Sequence, residues 1–254
     1  MTSIAERHKF IIDNIFQNGF VRVADLAREL SVTQATIRKD LTHLEEQGLL
    51  YRAYGSALPT AAQVMDISLN TKKLINLKKK QRIATRAVEL LQENDSIIMG
   101  AGSTVEVMAE LLKPKGRLNV VTSAVNVSMA LGDMSGVSVM QLGGILYGNS
   151  LCVIGSEAKS QLENLHCSKL FFGVDGIDLD AGATCATVEE AELLARMIRI
   201  VDTAIILADS SKIQCRGFSR ICGCEDVDIL ITDSGIPDDA RKALEKAGVK
   251  IIVA

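Results

Sequence analysis

A chain of 254 residues with 48% apolar and 23% charged side chains is long enough for one large domain or two ordinary ones, and apolar enough for a sizeable core. No apolar run approaches the roughly 18 residues of a membrane span. The opening MTSIAERHKF lacks the apolar centre of a secretory leader, so a cytoplasmic protein with no membrane partner is expected, its six cysteines reduced. The net charge of −3 is uneven: residues 1–60 hold seven basic and seven acidic side chains, residues 61–82 six and one, and residues 83–254 fifteen and twenty-three. An acidic bulk behind a basic neck suits a polyanionic partner, although a basic run also serves as a plain solvated linker.

In chain order, residues 4–17 predict a helix with Ile4, Ile11, Ile12 and Ile15 near one face, ended by Asn18-Gly19. A short apolar stretch, Phe20–Val23, leads to a second helix over Ala24–Leu30. Ser31-Val32-Thr33 breaks it, and Thr33 is a suitable N-cap for a third helix from Gln34 to Gln47. In that helix Ile37, Leu41 and Leu44 fall on one face, while Ala35, Arg38, Lys39 and Thr42 fall on the other. Gly48 closes it, and Leu49–Leu58 reads as a hairpin with Arg52 and Tyr54 near the tip. Helix, helix, turn, helix and wing form a winged helix-turn-helix. A major groove admits one helix, whose first turns meet base edges. Thr33, Gln34, Thr36, Arg38, Lys39, Arg52 and Tyr54 are therefore the candidate contacts to double-stranded operator DNA.

Residues 59–75 read as a linker with a basic run beginning at Lys72 and Lys73. From residue 76 to 254, apolar strands alternate with amphipathic helices, which predicts an α/β domain with a mainly parallel sheet. Strands are expected at 96–99, 118–121, 137–142, 170–174, 204–208, 228–231 and 250–253, with helices at 82–91, 103–112, 125–131, 157–165, 188–201 and 238–247. Ligands of such sheets bind at the C-terminal strand ends. Six unusual segments fall there: Gly102-Ser103-Thr104, Thr122-Ser123, Gly143-Gly144, Asp175 and Asp178 of DGID, Glu189-Glu190, and Lys212 of DSSK. Backbone amides and hydroxyls at a helix start suit an anion, carboxylates suit hydroxyl groups, and Lys212 suits a phosphate. The set describes a receptor for a phosphorylated sugar or polyol, with no cofactor and no metal.

LARELSVTQATIRKDLTHLEEQGLLYRAYGSA resembles the winged helix of the DeoR family of bacterial sugar-metabolism regulators, and KKLINLKKKQRIA, DSIIMGAGSTV, FFGVDGIDLDAGAT, LADSSK and VDILITDSGI extend the resemblance over nearly the whole chain in family order. Within the family the resemblance is greatest to the sorbitol (glucitol) repressor branch. It implies a repressor of a carbohydrate-utilisation operon; because one recognition helix reads only a few base pairs, a homo-oligomer (dimer or tetramer) is expected. It also implies a C-terminal domain similar to ribose-5-phosphate isomerase and glucosamine-6-phosphate deaminase, which raises a sugar-phosphate isomerase as the alternative function. The isomerases carry a Lys-Gly-Gly-Gly segment where this chain has AGATCATVEEAELLARM, so no enzyme activity is expected. The chain also departs from the family at Tyr147, Ala186-Thr187 and Leu194, where relatives carry an arginine, a Pro-Asp pair and a lysine. Cys215, Cys222 and Cys224 fall within ten residues but lack the paired spacing of a zinc site.

Overall fold

The computed structural model describes residues 4–18, 21–46, 50–53, 56–58, 69–114 and 116–254, and it divides into two compact units, Met1–Thr71 and Lys72–Ala254.

In the first unit, α1 (Ile4–Asn18) buries Ile11 and Ile15, the inward positions of its apolar stripe. The two-residue strand β1 (Val21–Arg22) runs directly into α2 (Val23–Glu29), which buries Val23, Leu26 and Ala27. Ser31, in the left-handed region at φ 52°, turns the chain into α3 (Gln34–Glu46). Thr33 Oγ1 accepts the Thr36 amide at 3.2 Å and so satisfies one of the open donors of the first turn. Ile37, Leu41 and Leu44 complete a core with Leu50 from beyond the helix. Strands β2 (Tyr51–Ala53) and β3 (Ser56–Leu58) pair antiparallel, and β1 adds to β3, giving a three-stranded sheet in the order β1-β3-β2. This is the expected winged helix-turn-helix. Tyr54 and Gly48 lie outside the described residues.

The second unit is built on a seven-stranded parallel sheet. Its strands are β4 (Ser96–Met99), β5 (Leu118–Thr122), β6 (Val137–Gln141), β9 (Cys167–Phe172), β12 (Val201–Leu207), β14 (Ile229–Thr232) and β15 (Lys250–Val253), in the spatial order β15-β14-β12-β9-β4-β5-β6. Successive residues of one strand enter opposite cores. Ile98 joins one cluster with Leu170, Phe172 and Ile206; Ile97 and Met99 join the other with Phe171 and Ile205. A sheet covered on both faces requires apolar residues at every position of its central strands, which is why these strands read as unbroken apolar runs. Helices α5 (Leu77–Val88), α6 (Ser103–Leu111) and α7 (Val125–Leu131) supply the second cluster. Helices α8 (Ser156–Ser160), α9 (Val188–Ile198) and α10 (Asp238–Lys246) supply the first.

Two small antiparallel additions lie between these parts: the hairpin β7 (Ile145–Tyr147) with β8 (Cys152–Ile154), and the sheet β10 (Gly176–Asp178), β11 (Gly182–Cys185) and β13 (Ser219–Cys222). The stretch expected as linker ends in a helix, α4 (Leu69–Leu74), and residues 59–68 lie outside the described residues. Among the described residues no helix is long and apolar enough to cross a membrane.

The first strand of the sheet in chain order, β4, lies beside the fourth, β9, and the order runs outward in opposite directions from that pair. Such a reversal leaves a crevice outside the carboxyl ends of the two strands, the place where open α/β sheets receive ligands.

Candidate functional site

On the head, α3 carries the expected division of faces. Gln34, Ala35, Arg38 and Lys39 are exposed and Thr36 is half-buried. The exposed turn is also organised: Thr33 Oγ1 lies 2.9 Å from Thr36 Oγ1, and Arg38 Nη2 donates to Gln34 Oε1 at 3.1 Å. Arg52 belongs to β2, the wing strand that follows the helix. Asp40, from the same TIRKD motif, faces inward. Its carboxylate accepts Arg7 Nε at 2.5 Å and Nη2 at 2.8 Å, with His8 Nε2 at 3.1 Å. Burial alone would push the Asp40 carboxyl up, but the Arg7 and His8 hydrogen bonds outweigh it and hold the group below its ordinary value. Sequence reading missed this pair, because nothing in the spacing of Arg7 and Asp40 announces it.

On the sensor unit, loops after β12, β9, β4, β5 and β6 lie at the carboxyl edge of the sheet, as does the one after β14, whose Asp233 accepts the Ser210 amide at 2.7 Å. The loop after β4 crosses the one after β9 at two glycines. Gly102 has φ +134°, and a Cβ there would lie 3.3 Å from Gly173 Cα. Only glycine fits that conformation and that approach. Gly102 then hands the chain to α6, whose first amides have no acceptor within the helix. Ser103 and Thr104 are buried, yet neither hydroxyl has a hydrogen-bond partner among the described residues. Asn126, in the first turn of α7, likewise has both carboxamide atoms buried and unpaired.

Lysines converge on the same edge. Lys212 ends a single 3₁₀ turn (Ser210–Lys212) after β12 and has no ion-pair partner among the described residues. Lys80, from α5, is 5% exposed, and its ammonium donates to the Lys72 carbonyl. Desolvation pushes Lys80 down to about 8; Asp209 opposes this, while Lys212 and Lys72 add to it. Lys72 Nζ donates to Asp175 Oδ1 at 2.6 Å. Burial works against the Asp175 carboxylate, but the charges of Lys72 and Lys212 prevail and hold it below its usual range. Asp209 is buried, accepting Asn76 Nδ2 at 3.1 Å and the Ser211 amide at 3.0 Å. Sequence reading had Asp209 only as part of DSSK and Lys72 and Lys80 only as part of a basic run, and it missed Asn76; the pairs Lys72–Asp175 and Asn76–Asp209 meet across 103 and 133 positions.

The structure separates the remaining expected residues by role. Glu190 belongs to the edge: it accepts Thr187 Oγ1 at 2.9 Å and the Cys152 thiol at 3.2 Å, and its charge reaches Lys72. Thr122 and Ser123 lie at the end of β5, but Thr122 Oγ1 accepts the Ala124 amide at 3.0 Å, a local turn bond. Gly143 is tied to Gln161 by its amide at 3.1 Å, and a Cβ on Gly144 would meet the Ile154 carbonyl at 2.5 Å, so both glycines serve the entry to the β7–β8 hairpin. Asp178 accepts the amides of Asp180 and Ala181 at 2.9 and 2.7 Å, so its carboxylate is the cap of the β10–β11 turn. Glu189 is exposed on α9. Cys222 and Cys224 are buried and Cys215 is half-buried, and among the described residues no group of three His, Cys, Asp or Glu side chains could hold a metal.

A helix-turn-helix whose reading helix faces outward, followed by an α/β unit with a receptive sheet edge, defines a DNA-binding transcriptional regulator with a sensor domain. Comparison with known proteins agrees: residues 7–63 match the DeoR-like helix-turn-helix domain and residues 75–234 the DeoR C terminal sensor domain. The chain belongs to the DeoR family of transcriptional regulators and is not an enzyme. It is 36% identical to an aga operon transcriptional repressor of Escherichia coli O157:H7, covering 100% of this chain and 95% of that one. It is also 36% identical to the transcriptional regulator YulB of Bacillus subtilis (strain 168), covering 98% of this chain and 96% of that one. Among solved structures, the full-length sorbitol operon regulator SorC from Klebsiella pneumoniae aligns with 13% identity and a TM-score of 0.42, over 96% of this chain and 99% of that one.

Proposed function

We propose that this regulator represses a carbohydrate-utilisation operon in the cytoplasm, binding its operator as a homo-oligomer under the control of a phosphorylated sugar or polyol. The observation that carries the effector class is a surplus of donors at one place. The open start of α6, the unpartnered Ser103 and Thr104 hydroxyls and the Lys212 ammonium, which has no ion pair among the described residues, are donors still open to a ligand, and the buried Lys80 adds positive charge beside them. A phosphate brings three acceptor oxygens and up to two charges, the group such a set receives. Asp175 and Glu190 beside it offer acceptors for hydroxyls, and Asn126 offers an unused donor and acceptor together.

Thermal-shift screening of the full chain against sugar and polyol monophosphates tests the class, because a ligand that binds only the folded state raises its stability by mass action. Losing one donor to a charged ligand costs about 1.5–3 kcal/mol. Lys212→Ala is therefore expected to bind the effector about 10- to 150-fold more weakly, and to bind operator like wild type when no effector is present. A Lys212→Ala chain that stays folded and responds at wild-type concentrations would place the phosphate elsewhere.

A further inference from the structure

The basic run that reads as a solvated neck is fastened to the sensor unit at every turn. Lys73 Nζ meets Glu106 and Glu110 of α6 at 2.9 and 2.8 Å. Asn76 Nδ2 donates to Asp209, and Lys79 Nζ reaches Ser210 Oγ at 3.0 Å and Asp233 Oδ2 at 2.9 Å. Lys80 holds the backbone carbonyl of Lys72. These contacts fix a brace. Lys72 is the member next to the head: Thr71 immediately before it ends the DNA-binding unit, and its partner, Asp175, is a carboxylate of the effector edge, as is Asp209, the partner of Asn76.

We propose that Lys72 is the coupling residue of this regulator: it holds Asp175 while the edge is empty of effector, and it gives up that partner when an effector hydroxyl takes the carboxylate, so that the first residues after the head change their anchorage. This deepens the sugar-phosphate reading and rests on it. Asp175 has one carboxylate, already shared between Lys72 and the Ala186 amide, and a polyol hydroxyl must compete for it. An incoming phosphate offers the surrounding lysines a second anion, so the exchange leaves no buried ammonium without a counter-charge. The ligand thereby has different contacts in the two arrangements of residues 69–72, which is the requirement for shifting an equilibrium between them. Lys73, Asn76 and Lys79 pair outside Asp175 and remain in place, which confines the change to residues 69–72, the stretch nearest the head.

Two measurements on the full chain test this. The first needs no ligand: amide hydrogen exchange of residues 69–76 is compared between wild type and Asp175→Asn, an isosteric change that removes the charge. Exchange about tenfold faster in the variant is expected from a local opening eased by loss of the pair; equal exchange overturns the anchorage. The second uses Lys72→Met with a duplex selected by the wild-type chain from a random-sequence library. The probes are glucose 6-phosphate, fructose 1-phosphate, fructose 6-phosphate, sorbitol 6-phosphate and inorganic phosphate. Without any compound, Lys72→Met is expected to bind the duplex with the affinity that wild type shows when saturated by whichever compound stabilises it. That compound is expected still to raise the melting temperature of Lys72→Met but no longer to change its duplex affinity. A duplex affinity that responds in Lys72→Met by the same factor as in wild type overturns the coupling role. If none of the compounds raises the melting temperature of wild type, the effector class falls, and the exchange comparison decides the anchorage separately.

Discussion

Asp40 shows how little a motif says about which way its residues face. It sits in TIRKD between Lys39, which is exposed, and Leu41, which is buried, and it closes a two-pronged pair with Arg7 inside the head. Removing one member of a buried pair leaves the other charged and unpaired, at a cost of about 3–5 kcal/mol. Asp40→Asn is therefore expected to lower the stability of the head by that amount at neutral pH, measured by urea denaturation. The pH dependence follows from the lowered carboxyl. A group depressed in the folded state contributes above its unfolded value, near 3.9, and loses that contribution as the pH falls through the folded value. Wild type and Asp40→Asn should accordingly converge in acid; equal stability at pH 7 would show that the pair holds nothing. The exposed members of the motif were legible because a helical wheel sorts them. Arg7, Lys72 and Lys80 were not, since their partners lie 33, 103 and 8 positions away and a wheel drawn on one segment contains none of them.

At the scale of elements, α3 falls within the range expected for it, with the expected division of faces, and it carries the test of DNA reading. Arg38 is held by Gln34 in the exposed first turn, which restricts where its guanidinium can go and favours one contact over many. A bidentate contact to a base is worth about 1–3 kcal/mol of discrimination. Arg38→Ala is expected to lose that much operator affinity and to relax preference at one base position, read by competition with single-base operator variants. A folded Arg38→Ala, Lys39→Ala double variant with unchanged operator binding would show that another surface reads DNA. The parallel strands were as legible as α3, because burial on both faces imposes the apolar runs. The antiparallel sheet was not: β11 reads Gly-Ala-Thr-Cys, all four residues buried, with no alternation and no large side chain to mark a strand. Close packing keeps its side chains small, as at Gly182, where a Cβ would lie 2.2 Å from the Cys222 carbonyl. The helix expected at 157–165 stops at Ser160, while Leu162 beyond it still enters the core, so the periodicity recorded burial rather than helix length. Gly102, Ser103 and Thr104 were legible as a loop opening a helix, whereas Gly143, Gly144 and Asp178 were turn chemistry that only their bonded partners could reveal.

For the molecule as a whole, the distribution of charge decides how many copies must act together. The head has as many acidic as basic residues in its first 60, so net attraction to a polyanion adds little to its binding, and the exposed face of α3 and the wing must supply the affinity. One such helix reads only a few base pairs, too few for a single address among genomic sites. Two heads carried on one symmetric body remedy both deficits, since the second binds at the effective concentration set by the first. The sensor unit exposes large apolar side chains: Met129 on α7, Met140 on the edge strand β6, and Ile145 and Leu146 on β7 are 78, 40, 69 and 52% exposed. Large exposed apolar side chains grouped on one unit are characteristic of an interface. The wild-type chain is therefore expected to sediment as a dimer or larger at micromolar concentration, and to protect repeated half-sites about 10–10.5 base pairs apart or a multiple of that. Ile145→Asp with Leu146→Asp is expected to yield monomers that keep the fold and the melting response to effector but lose most operator affinity, because each head then binds alone. Full-strength operator binding by a chain that sediments as a monomer would defeat the argument, and so would a double variant that remains oligomeric while the protected half-sites stay the same.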